Sequence, residues 1–328
     1  MKALVTGGAG FIGSHLCHRL LDEGWSVTCL DNFASGSRSN VGPLLEHPRF
    51  RLVERDVAAA PLAGDLAADR YYHLASPASP NGSSPRSYMA LPLETALANS
   101  LGTHHVLDLA RRAGGRALFA STSEIYGDPL EHPQREAYLG NVSSTGPRSC
   151  YDEAKRFGEA LCMVYVRSYG VDVRLVRIFN TYGPHMDPED GRMLPNFITQ
   201  ALRGQPLTVY GDGQYTRSLC YVSDLVAGLL AVMESSRAGA AGRVYNLGNP
   251  DEHPVVEFAQ QTLALIPESS SPIVHLDPVP DDPTRRRPDI SRATTELGWR
   301  PSVPLAVGLA CTIDWFRQAV PSPDSLMA

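Results

Sequence analysis

The stretch KALVTGGAGFIG, residues 2–13, decides the fold of the chain. The run KALVT leads into a loop that contains Gly7, Gly10 and Gly13, and a helical pattern follows to about Leu21. Glycines at these spacings allow a tight turn, let backbone N–H groups approach a pyrophosphate, and let the helix pack closely on the strand. The stretch therefore predicts a β-strand, a phosphate-binding turn and a helix.

The same alternation continues through the first half of the chain. Apolar, β-branched runs that predict strands cover residues 2–6, 26–30, 51–54, 70–74, 117–121 and 172–178, with helical stretches between them. This pattern is typical of an α/β protein with a Rossmann-type, doubly wound parallel sheet. After Asn180, loops rich in proline and glycine indicate a smaller α/β C-terminal domain that binds substrate.

A carboxylate at the end of the second predicted strand bears on the ligand of the glycine loop. Asp31 follows Gly10 by 21 residues, where it can accept hydrogen bonds from an adenosine ribose and repel a 2′-phosphate. The sequence therefore favours NAD over NADP. Arg38 lies nearby and would weaken this preference if it faced the cofactor. A glycine turn in another kind of α/β protein is the alternative interpretation.

Tyr151 and Lys155 form the second informative pair. Residues four apart share one face of a helix, so the phenol and the ammonium can meet. We expect the cation to lower the pKa of Tyr151 and make it a base for a sugar hydroxyl. A surface Tyr–Lys pair is the alternative, but Lys155 and Lys2 are the only lysines among 29 basic residues. Thr122, at the end of the fifth predicted strand, is expected to share the substrate oxygen with Tyr151.

Composition excludes several classes of function. The net charge of −6 and the lack of a basic stripe argue against nucleic-acid binding. The six cysteines are scattered, which predicts buried thiols and neither a metal site nor a disulfide framework. No apolar run is long enough to cross a bilayer, so we expect no membrane association and a cytoplasmic location.

Several longer motifs carry a resemblance to a known family. They are the loop at residues 6–13, HLASPASP at 73–80, STSEIYGDP at 121–129, YDEAK at 151–155, RIFNTYGP at 177–184, NLGNP at 246–250 and DDPTRRRPDI at 281–290. With them the chain resembles the extended short-chain dehydrogenase/reductase family, and within it the UDP-glucuronate decarboxylase branch. The resemblance implies NAD-dependent decarboxylation of UDP-glucuronate to UDP-xylose. Oxidation at C4 gives a UDP-4-keto-hexuronate, carbon dioxide leaves, and the hydride returns.

The resemblance also implies roles for individual residues. The catalytic residues are Thr122, Glu124, Tyr151, Lys155 and Arg286. The cofactor-binding residues are Gly7, Gly10, Phe11, Ile12, Gly13, Asp31, Asn32, Asp56, Val57, Leu74, Ala75, Asn99, Tyr151 and Lys155. The substrate-binding residues are Pro77, Ser79, Asn180, Arg192, Tyr210, Arg217 and Arg286. No metal is expected.

The expected domains follow from the strand pattern and the resemblance together. Residues 1–178, with about 219–247, are expected to form the NAD-binding Rossmann domain. Residues from about 179–218 and 248–321 are expected to bind the UDP-sugar, and residues 322–328 to form a disordered tail. Family members pair as homodimers through a four-helix interface, here residues 93–113 and 151–169. The apolar positions Phe157, Leu161, Val164 and Tyr165 would otherwise be ordinary core.

The sequence departs from the family pattern at three places. The stretch before Asn99 contains Glu94 and Leu97 and no lysine, His185 replaces an arginine after Gly-Pro, and the loop at residues 80–88 is longer. Each change bears on substrate binding and on the fate of the keto intermediate.

Three other functions stay open at this stage. A 4-epimerase of the same family would rotate the keto sugar, and would have no use for Glu124. A 4,6-dehydratase would need an acid where Ser123 stands, and a serine hydroxyl does not titrate near neutral pH. A catalytically silent NAD-binding sensor or scaffold would have no chemical reason to keep Thr122, Tyr151 and Lys155.

Overall fold

The computed structural model describes residues 1–277 and 285–320. Its strands are β1 (Lys2–Thr6), β2 (Ser26–Asp31), β3 (Phe50–Glu54), β4 (Arg70–His73), β5 (Arg116–Thr122), β6 (Val173–Ile178), β7 (Thr181–Tyr182), β8 (Leu207–Tyr210), β9 (Thr216–Ser218), β10 (Cys220–Tyr221), β11 (Val244–Leu247), β12 (Glu252–Pro254), β13 (Ile273–Leu276) and β14 (Arg285–Arg286). The six strands predicted in the first half are all present, each to within about a residue at either end.

The helices fill the spaces between these strands. They are α1 (Phe11–Asp22), α2 (Pro92–Leu97), α3 (Thr103–Ala113), α4 (Ser149–Tyr169), α5 (Met193–Leu202), α6 (Val222–Glu234), α7 (Val255–Ala264), α8 (Ser291–Leu297) and α9 (Leu305–Ala319). Helix α4 ends at Gly170 in the left-handed conformation, with φ of 66°. Such a residue closes a helix, and glycine adopts this conformation without steric penalty.

The main sheet has seven parallel strands in the order β11-β6-β5-β4-β1-β2-β3. The order reverses between β1 and β4, as in a doubly wound fold, and confirms the predicted class. One face is covered by α1 and α6, whose apolar residues pack with those of β1 and β2. The other face is covered by α3 and α4. The carboxyl ends of the strands therefore meet at one open edge.

A smaller group of elements covers this edge. It contains the three-stranded sheet β12-β9-β14 and the pairs β13-β8 and β10-β7. A separate apolar cluster holds it together, with Phe197, Phe258 and Phe316 fully buried among residues of α5, α7 and α9. Ala293 and Trp299 pack instead with the main-sheet cluster. The region 285–300 thus contacts both parts.

The stretch 93–113, which reads as one helix, is interrupted. A π-helical turn, Ala98–Gly102, separates α2 from α3. Such turns add a residue to the helix and often mark functional sites. The interruption places Asn99 on the buried side of the segment.

Two predictions fall partly or wholly outside the described residues. The tail 322–328 and the motif residues 281–284 lie there. The expectation of six buried thiols is wrong at two positions, because Cys311 is exposed and Cys150 is half-buried. Among the described residues, no helix is long and apolar enough to span a membrane.

Candidate active site

A cavity of about 1410 Å³ opens at the carboxyl edge of the main sheet. This is the edge where ligands bind in doubly wound folds. All five predicted catalytic residues line it: Thr122, Glu124, Tyr151, Lys155 and Arg286. The predicted substrate residues on its wall are Pro77, Ser79, Asn180, Arg192, Tyr210, Arg217 and Arg286. The predicted cofactor residues on its wall are Gly7, Gly10, Phe11, Ile12, Gly13, Asp31, Asn32, Asp56, Val57, Leu74, Ala75, Tyr151 and Lys155.

Asn99 is the one predicted cofactor residue that does not line the cavity. It is fully buried in the π-helical turn, and its amide nitrogen donates to Ser76 Oγ at 2.9 Å and to the Thr95 carbonyl at 2.8 Å. Ser76 does line the cavity. Asn99 therefore lies behind Ser76 and positions this residue of the cavity wall by a hydrogen bond.

The glycine loop is shaped by contacts that leave no room for side chains. A Cβ on Gly13 would lie 2.1 Å from the carbonyl oxygen of Gly7, and one on Gly7 would lie 2.7 Å from the Ala75 amide nitrogen. Gly7 also has φ of 71°, a conformation that favours glycine. Gly10 precedes α1, so the free N–H groups of the helix N-terminus face the cavity and can bind a diphosphate.

Asp31 ties this loop to the end of β2. Its carboxylate accepts hydrogen bonds from the Ala9 amide at 2.9 Å and the Phe33 amide at 2.8 Å. Burial raises the pKa of Asp31, and these backbone donors oppose the rise. Arg38 does not contact it, because its guanidinium stacks on Phe33 and pairs with Glu54. Asp31 thus lies on the cavity wall without a contact to Arg38, and its binding of a ribose stays a prediction.

Helix α4 brings Tyr151 and Lys155 over the end of β5. The close approach depends on Gly158, since a Cβ there would lie 2.4 Å from the ring of Phe119. The ammonium of Lys155 donates to the Ala120 carbonyl at 2.7 Å and lies 5.8 Å from the centre of the Tyr151 ring. The predicted pair therefore shares one helix face at the cavity.

The expected acidity of Tyr151 is not what the structure gives. Burial raises the pKa of Tyr151 to about 12, while a hydrogen bond with Thr122 and the charge of Arg192 oppose the rise. Burial also lowers the pKa of Lys155 to about 7. The prediction that the cation of Lys155 lowers the pKa of Tyr151 is therefore wrong for the ligand-free protein, because desolvation of the buried phenol has the largest effect on this pKa. Further positive charge at the ring is needed to stabilise the phenolate.

Glu124 occupies the centre of a charged group of side chains. It lies in the turn Ser123–Tyr126 directly after β5, and its own backbone amide donates to Thr122 Oγ1 at 3.3 Å. One carboxylate oxygen pairs with Arg148 and the other with Arg286. Glu124 thus connects the main sheet to β14 of the smaller group of elements.

Two of the three arginines predicted to bind substrate become neighbours through a short strand pairing. β14 runs parallel to β9, and Arg286 lies opposite Arg217 in this register. Ser218 Oγ donates to the Arg286 carbonyl at 3.2 Å and fixes the pairing. Residues almost 70 positions apart in the sequence therefore lie side by side on the cavity wall.

Tyr88 covers Tyr151. Its ring stacks on that of Tyr151 with centres 4.8 Å apart and planes 10° apart. Its backbone amide donates to the Ser79 carbonyl at 3.0 Å, so the loop 80–88 folds back over the cavity. The loop thus contributes to the cavity wall, which Asn81, Ser84 and Arg86 also line.

Arg192 and His185 complete the wall on the side of the smaller domain. Arg192 donates to both oxygens of Asp190, at 2.6 and 2.9 Å, and its charge acts on Tyr151. His185 stacks on His15 with centres 4.7 Å apart and contacts Ser14 Oγ at 2.9 Å. Burial lowers the pKa of His185 to about 4, so it is neutral at pH 7. The charge that an arginine would supply there is absent.

Sequence reasoning missed Arg148, Asp152 and Tyr88. Arg148 lies three residues before Tyr151, one helical turn away, and this spacing places both near the same face. Asp152 follows Tyr151 directly, but it reads as an exposed helix residue. Tyr88 carries no signal in the sequence, because it belongs to a loop without periodicity.

Comparison with known proteins gives the class. The model of the NAD dependent epimerase/dehydratase family matches residues 3–248, and the chain belongs to this family. UDP-glucuronic acid decarboxylase 1 of Xenopus tropicalis is 50% identical over 317 residues, which cover 97% of this chain and 72% of the relative. UDP-glucuronic acid decarboxylase 3 of Arabidopsis thaliana is 48% identical over 97% of this chain and 89% of the relative. The resemblance to extended short-chain dehydrogenases/reductases is thereby confirmed.

A solved structure supports the same class. UDP-glucuronic acid 4-epimerase from Bacillus cereus, in complex with UDP-glucuronic acid and NAD, superposes with a TM-score of 0.86 at 29% identity. The match covers 97% of this chain and all of that chain. The cofactor of this chain is NAD. The glycine loop fits this cofactor. A Cβ on Gly7 would collide with Ala75 and one on Gly13 with Gly7, so the loop stays free of side chains, and the N-terminus of α1 faces the cavity where the diphosphate would bind.

Proposed function

We propose that the protein is a NAD-dependent UDP-glucuronate decarboxylase that forms UDP-xylose. The observation that carries the proposal is the position of Glu124, which follows the end of β5, lines the same cavity as Tyr151 and is held between Arg148 and Arg286. Guanidinium groups bind carboxylates in a planar, bidentate manner, so this wall suits a uronic acid. Relatives about half identical over nearly the whole chain are UDP-glucuronic acid decarboxylases.

The first step is the oxidation of the sugar at C4. Bound NAD supplies the hydride acceptor for C4, the donor for the return step, and a positive charge on its oxidised ring. Tyr151 takes the proton of the 4-hydroxyl, and Thr122 holds the same oxygen. The pKa of about 12 already includes the charge of Arg192, and the oxidised ring of bound NAD would supply the further positive charge that lowers it. The charged form of Lys155 supports the phenolate and can hold the nicotinamide ribose.

The second step is the loss of carbon dioxide. A C4 ketone is β to the carboxylate on C5, so the C5–C6 bond breaks and its electron pair moves into an enolate. Arg286 orients the carboxylate, and Glu124, ionised between two arginines, lies beside C5, where a proton taken up from solvent forms the new C5–H bond. Tyr151, now protonated, holds the developing oxyanion at C4 by a hydrogen bond. Positioning and preorganised donors therefore supply most of the catalysis.

One assay tests the proposal. The protein is incubated with UDP-glucuronate and a small amount of NAD, and carbon dioxide and the nucleotide product are measured. We expect one carbon dioxide and one UDP-xylose per substrate consumed, without net reduction of NAD. UDP-galacturonate formed without gas would overturn the proposal in favour of the 4-epimerase.

We also propose a homodimer formed through α2–α3 and α4. These helices together expose four large apolar side chains, with Leu93 65%, Leu101 45%, Phe157 53% and Val164 49% exposed, and a group of such side chains favours an interface. Tyr165, in contrast, is buried in the core of its own subunit. We expect Phe157→Glu to shift the mass measured by light scattering from dimer to monomer, and Val307→Glu, an exposed apolar position on α9, to leave it unchanged.

The division of labour along the chain is a further proposal. Residues 1–178 with about 219–247 bind NAD, and about 179–218 with 248–321 bind the UDP-sugar. The separate apolar clusters of the main sheet and of α5, α7 and α9 support it.

A cytoplasmic location is proposed from the cysteines, since none of the six is paired and cytosolic proteins rarely form disulfides. Fractionation of cells that express the tagged chain tests the location.

A further inference from the structure

Four charged side chains form one group on the cavity wall, here called the uronate cluster: Glu124, Arg148, Asp152 and Arg286. Glu124 pairs with both arginines, and Arg148 Nε lies 3.8 Å from Asp152 Oδ2. Arg148 therefore lies between two carboxylates. The mechanism above gives roles to Glu124 and Arg286 and none to Asp152.

Asp152 is unusually placed for a carboxylate on a helix. Its side chain is 10% exposed, and among the described residues its Oδ1 is buried without a hydrogen-bond partner. It directly follows Tyr151 and lines the same cavity. A buried carboxylate oxygen without a donor is costly in the ionised form and much less so in the neutral form.

The groups that face Asp152 come from several elements. On its own helix they are Arg148, Cys150, Tyr151 and Glu153, and from other segments they are Tyr88 and Arg286. Arg148 and Arg286 favour its ionised form, and Glu153 disfavours it. Burial is the largest effect and raises the pKa of Asp152 to about 6. The group therefore titrates close to neutral pH and is mostly ionised at pH 7 before substrate binds.

The formal charges of the uronate cluster cancel when Asp152 is ionised, because two guanidinium groups face two carboxylates. A uronate adds a third carboxylate to the same wall. Neighbouring negative charges raise one another's pKa. Within the uronate cluster, Asp152 is the residue with a carboxylate oxygen that has no hydrogen-bond donor and with a pKa near neutrality. Resting on the proposed function, we propose that Asp152 takes up one proton when the carboxylate of the sugar enters the uronate cluster.

The proton balance of this step is simple. The free enzyme with ionised Asp152, the anionic sugar carboxylate and one proton give a complex with a neutral carboxylic acid at Asp152. Arg148 then loses one of its two anionic neighbours and can pair with the sugar. The overall decarboxylation also consumes one proton, because a C5–H bond replaces the C5–C6 bond. The complex therefore already contains the proton that the reaction needs.

The test measures protons taken up on binding. Tyr151→Phe protein with NAD bound is titrated with UDP-glucuronate at pH 7 by calorimetry, in two buffers that differ in ionisation enthalpy. UDP-xylose, which lacks only the carboxylate, is titrated in parallel. We expect close to one proton with UDP-glucuronate and none with UDP-xylose. The affinity for UDP-glucuronate should rise about fivefold per pH unit as the pH falls from 7.5 to 6.5, within the tenfold limit for one linked proton.

A second variant assigns the proton to Asp152. With Asp152→Asn added, the proton uptake and the pH dependence should disappear, and the affinity at pH 7.5 should equal or exceed that of the parent at pH 6.5. Glu153→Gln removes the same charge one residue along the helix and should leave the uptake in place. Equal proton counts for the two ligands, or uptake that persists in Asp152→Asn, would overturn the inference. Wild-type protein that releases no carbon dioxide would overturn the proposed function instead, so the two failures are distinguishable.

Discussion

The two ends of the cavity are constructed differently. At the dinucleotide end, backbone atoms form the surface: the glycine loop, the N-terminus of α1 and Asp31 all lie within the first 31 residues. At the sugar end, side chains form the surface, and Glu124, Arg148 and Arg286 come from three distant segments. The dinucleotide end has no room for side chains on Gly7 and Gly13, and the structure of the sugar end depends on ion pairs. Four predictions separate the two ends, from the largest expected effect to the smallest.

Gly13→Ala should abolish function at the dinucleotide end. The added Cβ would lie 2.1 Å from the Gly7 carbonyl oxygen, so the loop must move away from the position that a diphosphate requires. We expect NAD binding, measured by calorimetry, to fall below detection. Gly42→Ala is the control, because nothing lies within 4 Å of the Cβ it adds. Normal NAD affinity in Gly13→Ala would contradict the backbone-built description of this end.

Tyr151→Phe should affect the sugar end alone. Loss of a positioned base lowers turnover by roughly 10³-fold, within the usual range for such groups. NAD affinity should stay within about twofold of wild type, since the ring and its stacking on Tyr88 remain. Stopped turnover with unchanged NAD binding would sharpen the contrast with Gly13→Ala. Substantial residual turnover would show that another group takes the proton.

Because burial lowers the pKa of Lys155, we expect the stability of the ligand-free protein to depend on pH. Its pKa is about 7 when folded and near 10.5 when unfolded, so between these values the unfolded chain binds more protons. The free energy of unfolding therefore gains from Lys155 as the pH rises from 7 to 9. In Lys155→Met, this free energy, measured with urea, should rise less steeply with pH than in wild type. Parallel pH profiles would mean that the folded protein keeps Lys155 charged throughout.

Replacement of Tyr88 should give the smallest effect. A stacked aromatic pair contributes about 1 kcal/mol beyond burial, so Tyr88→Leu should lower kcat/KM about fivefold. Tyr88→Phe keeps the ring 4.8 Å from that of Tyr151 and should resemble wild type. The thermal midpoint of each variant separates a local effect from unfolding. A loss in Tyr88→Phe as large as that in Tyr88→Leu would assign the role to the hydroxyl.

The difference between the two ends also explains what the sequence could predict. The glycine loop, Asp31, and the Tyr151–Lys155 pair are local patterns, in which spacing alone fixes the geometry. Helical spacing places Arg148 one turn before Tyr151, but its pairing with Glu124 joins two distant segments. Tyr88 depends on how an irregular loop folds back over the sheet, and no periodicity marks such a loop. The π-helical turn escapes notice because residues 93–113 have a continuous helical pattern. The acidity of Tyr151 was predicted wrongly because spacing reports proximity and not desolvation.

The pairing of β14 with β9 has a consequence for synthesis of the chain. Arg286 reaches its position only after almost all preceding elements exist, since β9 must already be in place to receive it. Thr122, Tyr151 and Lys155 leave the ribosome more than a hundred residues earlier. The nascent protein therefore contains the residues proposed for oxidation at C4 first and Arg286, the residue proposed to bind the sugar carboxylate, last. The ribosome therefore makes the two groups of residues in the order in which the proposed reaction uses them, oxidation at C4 first and decarboxylation second.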